Sequence, residues 1–346
     1  MRRGRKEEVK RRNSDKPLII AIIAVIEIIV FLLGFLAGTI FKKVNPAPQV
    51  QEPVINNVEK IETPQVVSNP LVDSIMKDMS LEDMIYQMMF VTPEAITNVD
   101  IAVRAGESTK NALQSYPVGG IIYFEQNYES DEQITQMIEN SQSYSKVPLF
   151  IATDDENFAN NKELGINMNF VSSDNFSNDS EVNSVLKYYP NYSSSYLGSD
   201  DGYCESAISL DELKTSEYAP FKDGIDKGAE FIMVSHINLP NATTNNVPAS
   251  VSKEVITDIL KNELGFKGIV ITDYFNKAAI TDEFSADEAA VKAVSAGCDI
   301  ILMPENIEMA HQSLVTAVEN GEIPKTQIEE SVRKILTSKA NKGLIK

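Results

Sequence analysis

Six side chains able to do acid, base or nucleophilic chemistry stand where apolar runs end: Asp154, Asp174, Lys187, His236, Asp273 and Glu305. The clearest case is "GFKGIVITDYF", Gly265 to Phe275, in which Ile269, Val270 and Ile271 lead directly to Asp273. A carboxylate at a strand end can trap a cationic centre or move a proton, and a nearby lysine or histidine can hold it ionised. It can also be no more than the cap of the following helix. The choice depends on whether the six ends share one rim.

The elements that would position them alternate. Strands are expected at Phe90–Thr92, Gly120–Phe124, Leu149–Thr153, Asn167–Val171, Val185–Tyr189, Phe231–Ser235, Gly268–Thr272 and Asp299–Met303. Helical spacing of apolar residues follows several of them, at Asp131–Ser143, Leu210–Lys227, Lys253–Glu263, Ser285–Ala296 and Ile307–Glu319. "SLEDMIYQMM" opens the domain with Ser80 as a cap, and Lys325–Ala340 closes it as an amphipathic helix. Short apolar strands alternating with helices predict an α/β fold with a parallel sheet, most simply a TIM-type (β/α)8 barrel. Such barrels place their sites at the C-terminal strand ends, where the six polar groups fall. Too few residues separate the third, fourth and fifth strands for full crossover helices, so the barrel should be contracted there.

Charge divides the chain. The first 43 residues carry +6 against −19 for the whole, so the rest carries −25. A domain this acidic lacks the clustered Lys and Arg that displace counterions from a phosphate backbone, which excludes nucleic acid as a partner. Leu18–Phe41, "LIIAIIAVIEIIVFLLGFLAGTIF", is apolar for the length of a bilayer-crossing helix and is interrupted once, by Glu27. With basic residues at 1–17 held in the cytoplasm, 18–41 is expected to be a single-pass anchor. Residues 42–70 would then be a Pro-rich extracellular linker, and 71–346 the extracellular barrel domain at the cell membrane. The two cysteines, Cys204 and Cys298, are expected as free thiols. No cofactor and no metal is expected.

Several ordered stretches carry a resemblance. "LDELKTSEYAPFKDGIDKGAEFIMVSHINLP", "PASVSKEVITDILKNELGFKGIVITDYF" and "AVKAVSAGCDIILMPEN", with "LEDMIYQMMFV" and "VGGIIYFEQNYESDEQITQMIENSQ" before them, resemble glycoside hydrolase family 3, in its β-N-acetylglucosaminidase branch. The resemblance implies a TIM-type barrel with Asp273 as the nucleophile of a retaining glycosidase. Its substrate would be a β-linked N-acetylhexosamine glycan, such as a peptidoglycan fragment. It also implies sugar-binding roles at Asp154, Lys187 and, at the rim, His236.

The chain departs from the family pattern in three places. "TDDENFANNKELG" keeps Asp154 and Glu156 but lacks the glycine pair and the arginine that binds sugar. "KYYPNYS" keeps Lys187 and Pro190 and has Tyr188 in place of a sugar-contacting histidine. The loop that supplies the branch's acid/base histidine reads Gly198-Ser199-Asp200-Asp201, so Asp200 and Asp201 are the candidate acid/base groups. His311 lies on a helical face and is expected in solvent. Two readings follow: a membrane-anchored extracellular glycosidase, or a degenerate relative that binds glycan or a partner at the cell surface.

Overall fold

All eight apolar runs become strands, each hydrogen-bonded in parallel to its neighbours, and the last pairs with the first to close a barrel in the order β1 to β8. In the computed structural model, residues 69–153, 162–172, 183–190 and 202–346 are described. They belong to a unit spanning Val67–Lys346. The strands are β1 Met89–Val91, β2 Gly120–Tyr123, β3 Phe150–Thr153 and β4 Met168–Ser172. They continue with β5 Asn183–Tyr189, β6 Phe231–Val234, β7 Ile269–Tyr274 and β8 Ile300–Leu302. Strands buried on both faces need no polar alternation, which is why they read as continuous apolar runs.

Helices α1 (Pro70–Lys77) and α2 (Leu81–Gln87) precede β1, and the Ser80 hydroxyl accepts from the Asp83 N–H as the sequence suggests. The β1–β2 connection holds α3 (Pro93–Thr97) and α4 (Glu107–Ser115), two short helices that apolar spacing did not reveal. α5 (Asp131–Tyr144) links β2 to β3. After β5 a single turn at Leu210–Glu212 passes through π-helical Leu213–Glu217 into α6, Tyr218–Asp226. A π-helical Glu254–Glu263 leads to β7. α7 (Ala278–Thr281) and α8 (Ala286–Ala296) lead to β8. α9 (Ile307–Glu319) and α10 (Lys325–Asn341) complete the outer ring.

The contraction is where the residue count puts it. Among the described residues, the β3–β4 connection contains only a 3-10 turn at Lys162–Leu164, and β4 reaches β5 through residues 173–182. Among the described residues no helix is long and apolar enough to cross a membrane. The span expected over Leu18–Phe41 lies outside them.

The N-terminal end of the barrel is closed by aromatic rings. Phe90 and Phe150 lie 5.7 Å apart, and Phe150 meets Phe231 edge-on at 5.7 Å. Gly119 must be a glycine here, because a Cβ would lie 1.9 Å from the Gln87 carbonyl oxygen. Beneath the rings sits Lys339 of α10, fully buried, donating to Gln87 Oε1 at 2.9 Å with its Nζ 5.3 Å from the Phe150 ring centre. Burial pulls its pKa down to about 7. From about pH 7 upward the unfolded chain therefore binds a proton that the folded chain lacks, and stability should rise with pH. Thermal melts from pH 7 to pH 8.5 should show wild type gaining on Lys339→Met by up to about 1.4 kcal/mol per pH unit. Parallel curves for the two proteins would contradict this.

Candidate active site

β7 carries Asp273 to the C-terminal rim, where its side chain is fully buried. The position is set by a bulge. Ile271 pairs with Ile300 and Tyr274 with Leu302, so three steps on β7 face two on β8. β5 repeats the device against β6: Leu186 pairs with Ile232 and Tyr189 with Val234. An extra residue re-aims the side chains beside it. The two extra residues fall at Lys187–Tyr188 and at Thr272–Asp273, one on each side of β6, which itself runs out toward His236. The barrel thus brings Lys187, His236 and Asp273 to one rim on three consecutive strands.

The carboxylate of Asp273 is held at both oxygens. Oδ1 accepts from the Tyr274 N–H at 2.8 Å, and Oδ2 accepts from Lys277 Nζ at 3.1 Å. The Lys277 side chain is only 14% exposed. Sequence reasoning did not single out Lys277. Its signal was the spacing: a lysine four residues after the aspartate, across the turn that opens α7.

Lys187 Nζ lies 5.2 Å from the Tyr188 ring centre and 6.0 Å from that of Phe170. The next residue, Tyr189, is fully buried against Tyr218 and Phe221 of α6 and pins this end of β5 to the outer layer. The Lys187–Tyr188 and Tyr189–Pro190 peptide bonds are both cis.

His236 is fully buried, and burial takes its pKa down to about 3, so the ring is neutral at physiological pH. Its Nε2 lies 3.0 Å from the Tyr274 carbonyl oxygen, which can only accept, so Nε2 carries the hydrogen. Nδ1 is then the acceptor of the Ser250 hydroxyl at 2.8 Å. Both nitrogens are committed, and the ring clamps the backbone directly after Asp273. Phe124, from the loop after β2, meets the Tyr274 ring edge-on at 5.9 Å. That loop is braced by buried Asn127, which donates to Glu94 Oε1 at 2.5 Å and to the Ala102 carbonyl at 2.9 Å.

Glu305 is exposed, beyond β8 and next to Asn306, the cap of α9. Asp154, Asp174, Asp200 and Asp201 lie outside the described residues. His311 is not in solvent: it is 8% exposed, stacks on Tyr86 at 3.8 Å, and has Nε2 at 3.2 Å from the Glu82 carbonyl oxygen. The periodicity of α9 missed this because α2 covers that face. Both cysteines are free and buried.

The closed parallel barrel is of the TIM type, with a charge-paired carboxylate at one C-terminal strand end, and known proteins narrow the class. The family profile described as "Glycosyl hydrolase family 3 N terminal domain" matches residues 156–338, more than half of the 346-residue chain. The chain belongs to that family. Beta-hexosaminidase A of Pseudoalteromonas piscicida is 24% identical over 318 residues, which cover 64% of this chain and 53% of that protein. A beta-hexosaminidase of Stenotrophomonas maltophilia (strain R551-3) is 33% identical over 131 residues, 36% of this chain and 38% of the relative. Among solved structures, a glycoside hydrolase family 3 beta-N-acetylglucosaminidase from Paenibacillus sp. str. FPU-7 superposes with a TM-score of 0.66 at 24% identity. It covers 77% of this chain and 63% of its own. Beta-N-acetylhexosaminidase from Beutenbergia cavernae DSM 12333 gives 0.62 at 20% identity, covering 76% of this chain and 99% of its own. The chain thus spans less than two thirds of the Pseudoalteromonas, Stenotrophomonas and Paenibacillus proteins, and the structural likenesses speak to fold alone.

Proposed function

We propose that this is a membrane-tethered, extracellular glycosidase that cleaves β-linked N-acetylhexosamine glycans, peptidoglycan fragments among them, with retention at the anomeric carbon. The observation that carries the reading is Asp273: a buried carboxylate at the end of β7, fixed at one oxygen by backbone and paired at the other with an ammonium. In a retaining reaction that carboxylate attacks the anomeric carbon while an acid protonates the departing oxygen. Water then attacks the anomeric carbon of the glycosyl-enzyme, the carboxylate leaves, and the acid, now a base, takes the water's proton. Asp200 or Asp201 would be that acid/base. Lys187 and Asp154 would contact the sugar, and His236 would support the site through the backbone of Tyr274.

The test is turnover of an aryl β-N-acetylglucosaminide and an aryl β-glucoside by the full chain, with proton NMR of the first sugar released. The reading expects faster turnover of the former and a β-anomer first. An α-anomer would remove retention, and no turnover of either would remove the glycosidase. A second reading, a degenerate glycan binder, is favoured by the absence of any exposure at Asp273 and by Tyr188 in the sugar-contacting position. Saturable binding of N-acetylglucosamine oligomers without turnover would select it.

Placement outside the cell rests on Leu18–Phe41 and the basic residues before it. Protease added to intact cells should release the barrel domain by cutting within residues 42–70. Full-length chain in a washed cytosolic fraction would contradict this.

A further inference from the structure

The two oxygens of Asp273 are held by unlike donors. The Tyr274 N–H on Oδ1 belongs to β7, and the His236 ring fastens that same residue by its carbonyl, so this donor cannot move away. Lys277 Nζ on Oδ2 sits at the end of a flexible stem, 5.1 Å from the Tyr274 ring centre, and its side chain still reaches solvent. A fully buried carboxylate without a neighbouring cation would be costly to ionise.

We propose, resting on the glycosidase reading above, that Lys277 is a positioning residue for Asp273: it supplies a counter-charge that keeps the buried carboxylate anionic, and it holds Oδ2 until an incoming glycoside takes its place. Oδ2 is then the oxygen that meets the anomeric carbon, since Oδ1 stays on the backbone. The ammonium swings along the Tyr274 face, where the ring keeps it close to the developing bond. Lys277 touches no reacting atom of the sugar in this scheme. It acts through the carboxylate.

Two readouts on the full chain test this. The first is a double-mutant cycle in thermal melting with Asp273→Asn, Lys277→Met and both together. Lys277→Met removes the ammonium from Oδ2 of a buried carboxylate and should lower the midpoint by roughly 5–10 °C. Asp273→Asn keeps the shape of the side chain and its bond from the Tyr274 N–H, and should cost less. The double variant should melt well above the sum of the two effects. The second is the kinetic split. Lys277→Met should reduce kcat about 10–100-fold with KM changed less than about 3-fold, because aim and ionisation are lost while the sugar contacts remain. Lys277→Arg, which keeps the charge, should return kcat to within about 5-fold of wild type.

Strictly additive melting shifts, or a loss carried by KM and not rescued by arginine, would overturn the proposal. If wild type turns nothing over yet the melting effects couple, the pairing stands and the glycosidase reading falls. The two failures are thereby told apart.

Discussion

Asp273→Asn should lower turnover of every β-N-acetylglucosaminide by at least about 10³-fold while leaving the barrel folded. The amide matches the carboxylate in shape and can still accept from the Tyr274 N–H, so β7 keeps its bulge. What is lost is the negative charge that would trap the anomeric carbon. Activated aryl glycosides should not rescue the variant, since good leaving groups relieve the need for an acid and not for a nucleophile. The contrast with the acid/base is diagnostic. Replacing whichever of Asp200 or Asp201 serves should slow poor leaving groups by roughly 10²–10⁴-fold and activated ones far less. Initial rates with a paired series of leaving groups check both statements. Equal rates for wild type and Asp273→Asn would contradict the first.

The largest expected loss of stability lies at the opposite end of the barrel. Asp299, just before β8, is buried and gathers four donors. They are the Val270 N–H at 2.9 Å, the Ser331 hydroxyl at 2.7 Å, Lys334 Nζ at 3.2 Å and Lys261 Nζ at 3.5 Å. Burial pushes its pKa up, and Lys334, Lys261, the Val270 N–H and the Ser331 hydroxyl outweigh that, so the net direction is down. This single side chain ties β7, the π-helical Glu254–Glu263 and α10 together. Asp299→Ala leaves two lysines and a backbone N–H facing a void, at a cost of about 3–5 kcal/mol, or roughly 6–15 °C in melting midpoint. Because the folded pKa is depressed, the stabilisation is present above the unfolded carboxylate range and lost as pH falls through the folded value. The gap between wild type and Asp299→Ala should therefore narrow in acid. Glu305→Ala, at an exposed position, is the control and should move the midpoint by less than about 2 °C. A similarly small shift for Asp299→Ala would contradict the account.

Aspartates 273 and 299 look alike in sequence, each touching an apolar run, and the direction of the strand separates them. The carboxylate that ends β7 reaches the C-terminal rim, where barrels place their sites, whereas the one that precedes β8 lies at the end where barrels keep their stabilising contacts. That much was legible, because continuous apolar runs of four or five residues announce strands buried on both faces. The short connections around β4 could be counted directly. The bulges were not legible. "SVLKYYP" and "IVITDYF" read as ordinary strands, since the extra residue exists only relative to the register of a partner. Lys339 was hidden for a related reason. It occupies the buried face of an amphipathic helix, where a charge contradicts the pattern and only the Gln87 partner explains it. Lys277 was within reach, as an i+4 lysine beside a singled-out aspartate, but the turn between them breaks the helical spacing on which such pairs are usually read.

The most direct measurement is covalent trapping. Incubating the full chain with 2-acetamido-2-deoxy-5-fluoro-β-glucosyl fluoride should let the fluoride leave faster than the glycosyl-enzyme is hydrolysed, so that the intermediate accumulates. Intact-mass and peptide mass spectrometry should then find one added 5-fluoro-N-acetylglucosaminyl group, on the peptide that contains Asp273, and none on Asp273→Asn. A chain that turns over aryl glycosides yet carries no adduct, or carries it on another residue, would contradict the assignment of Asp273 as the nucleophile.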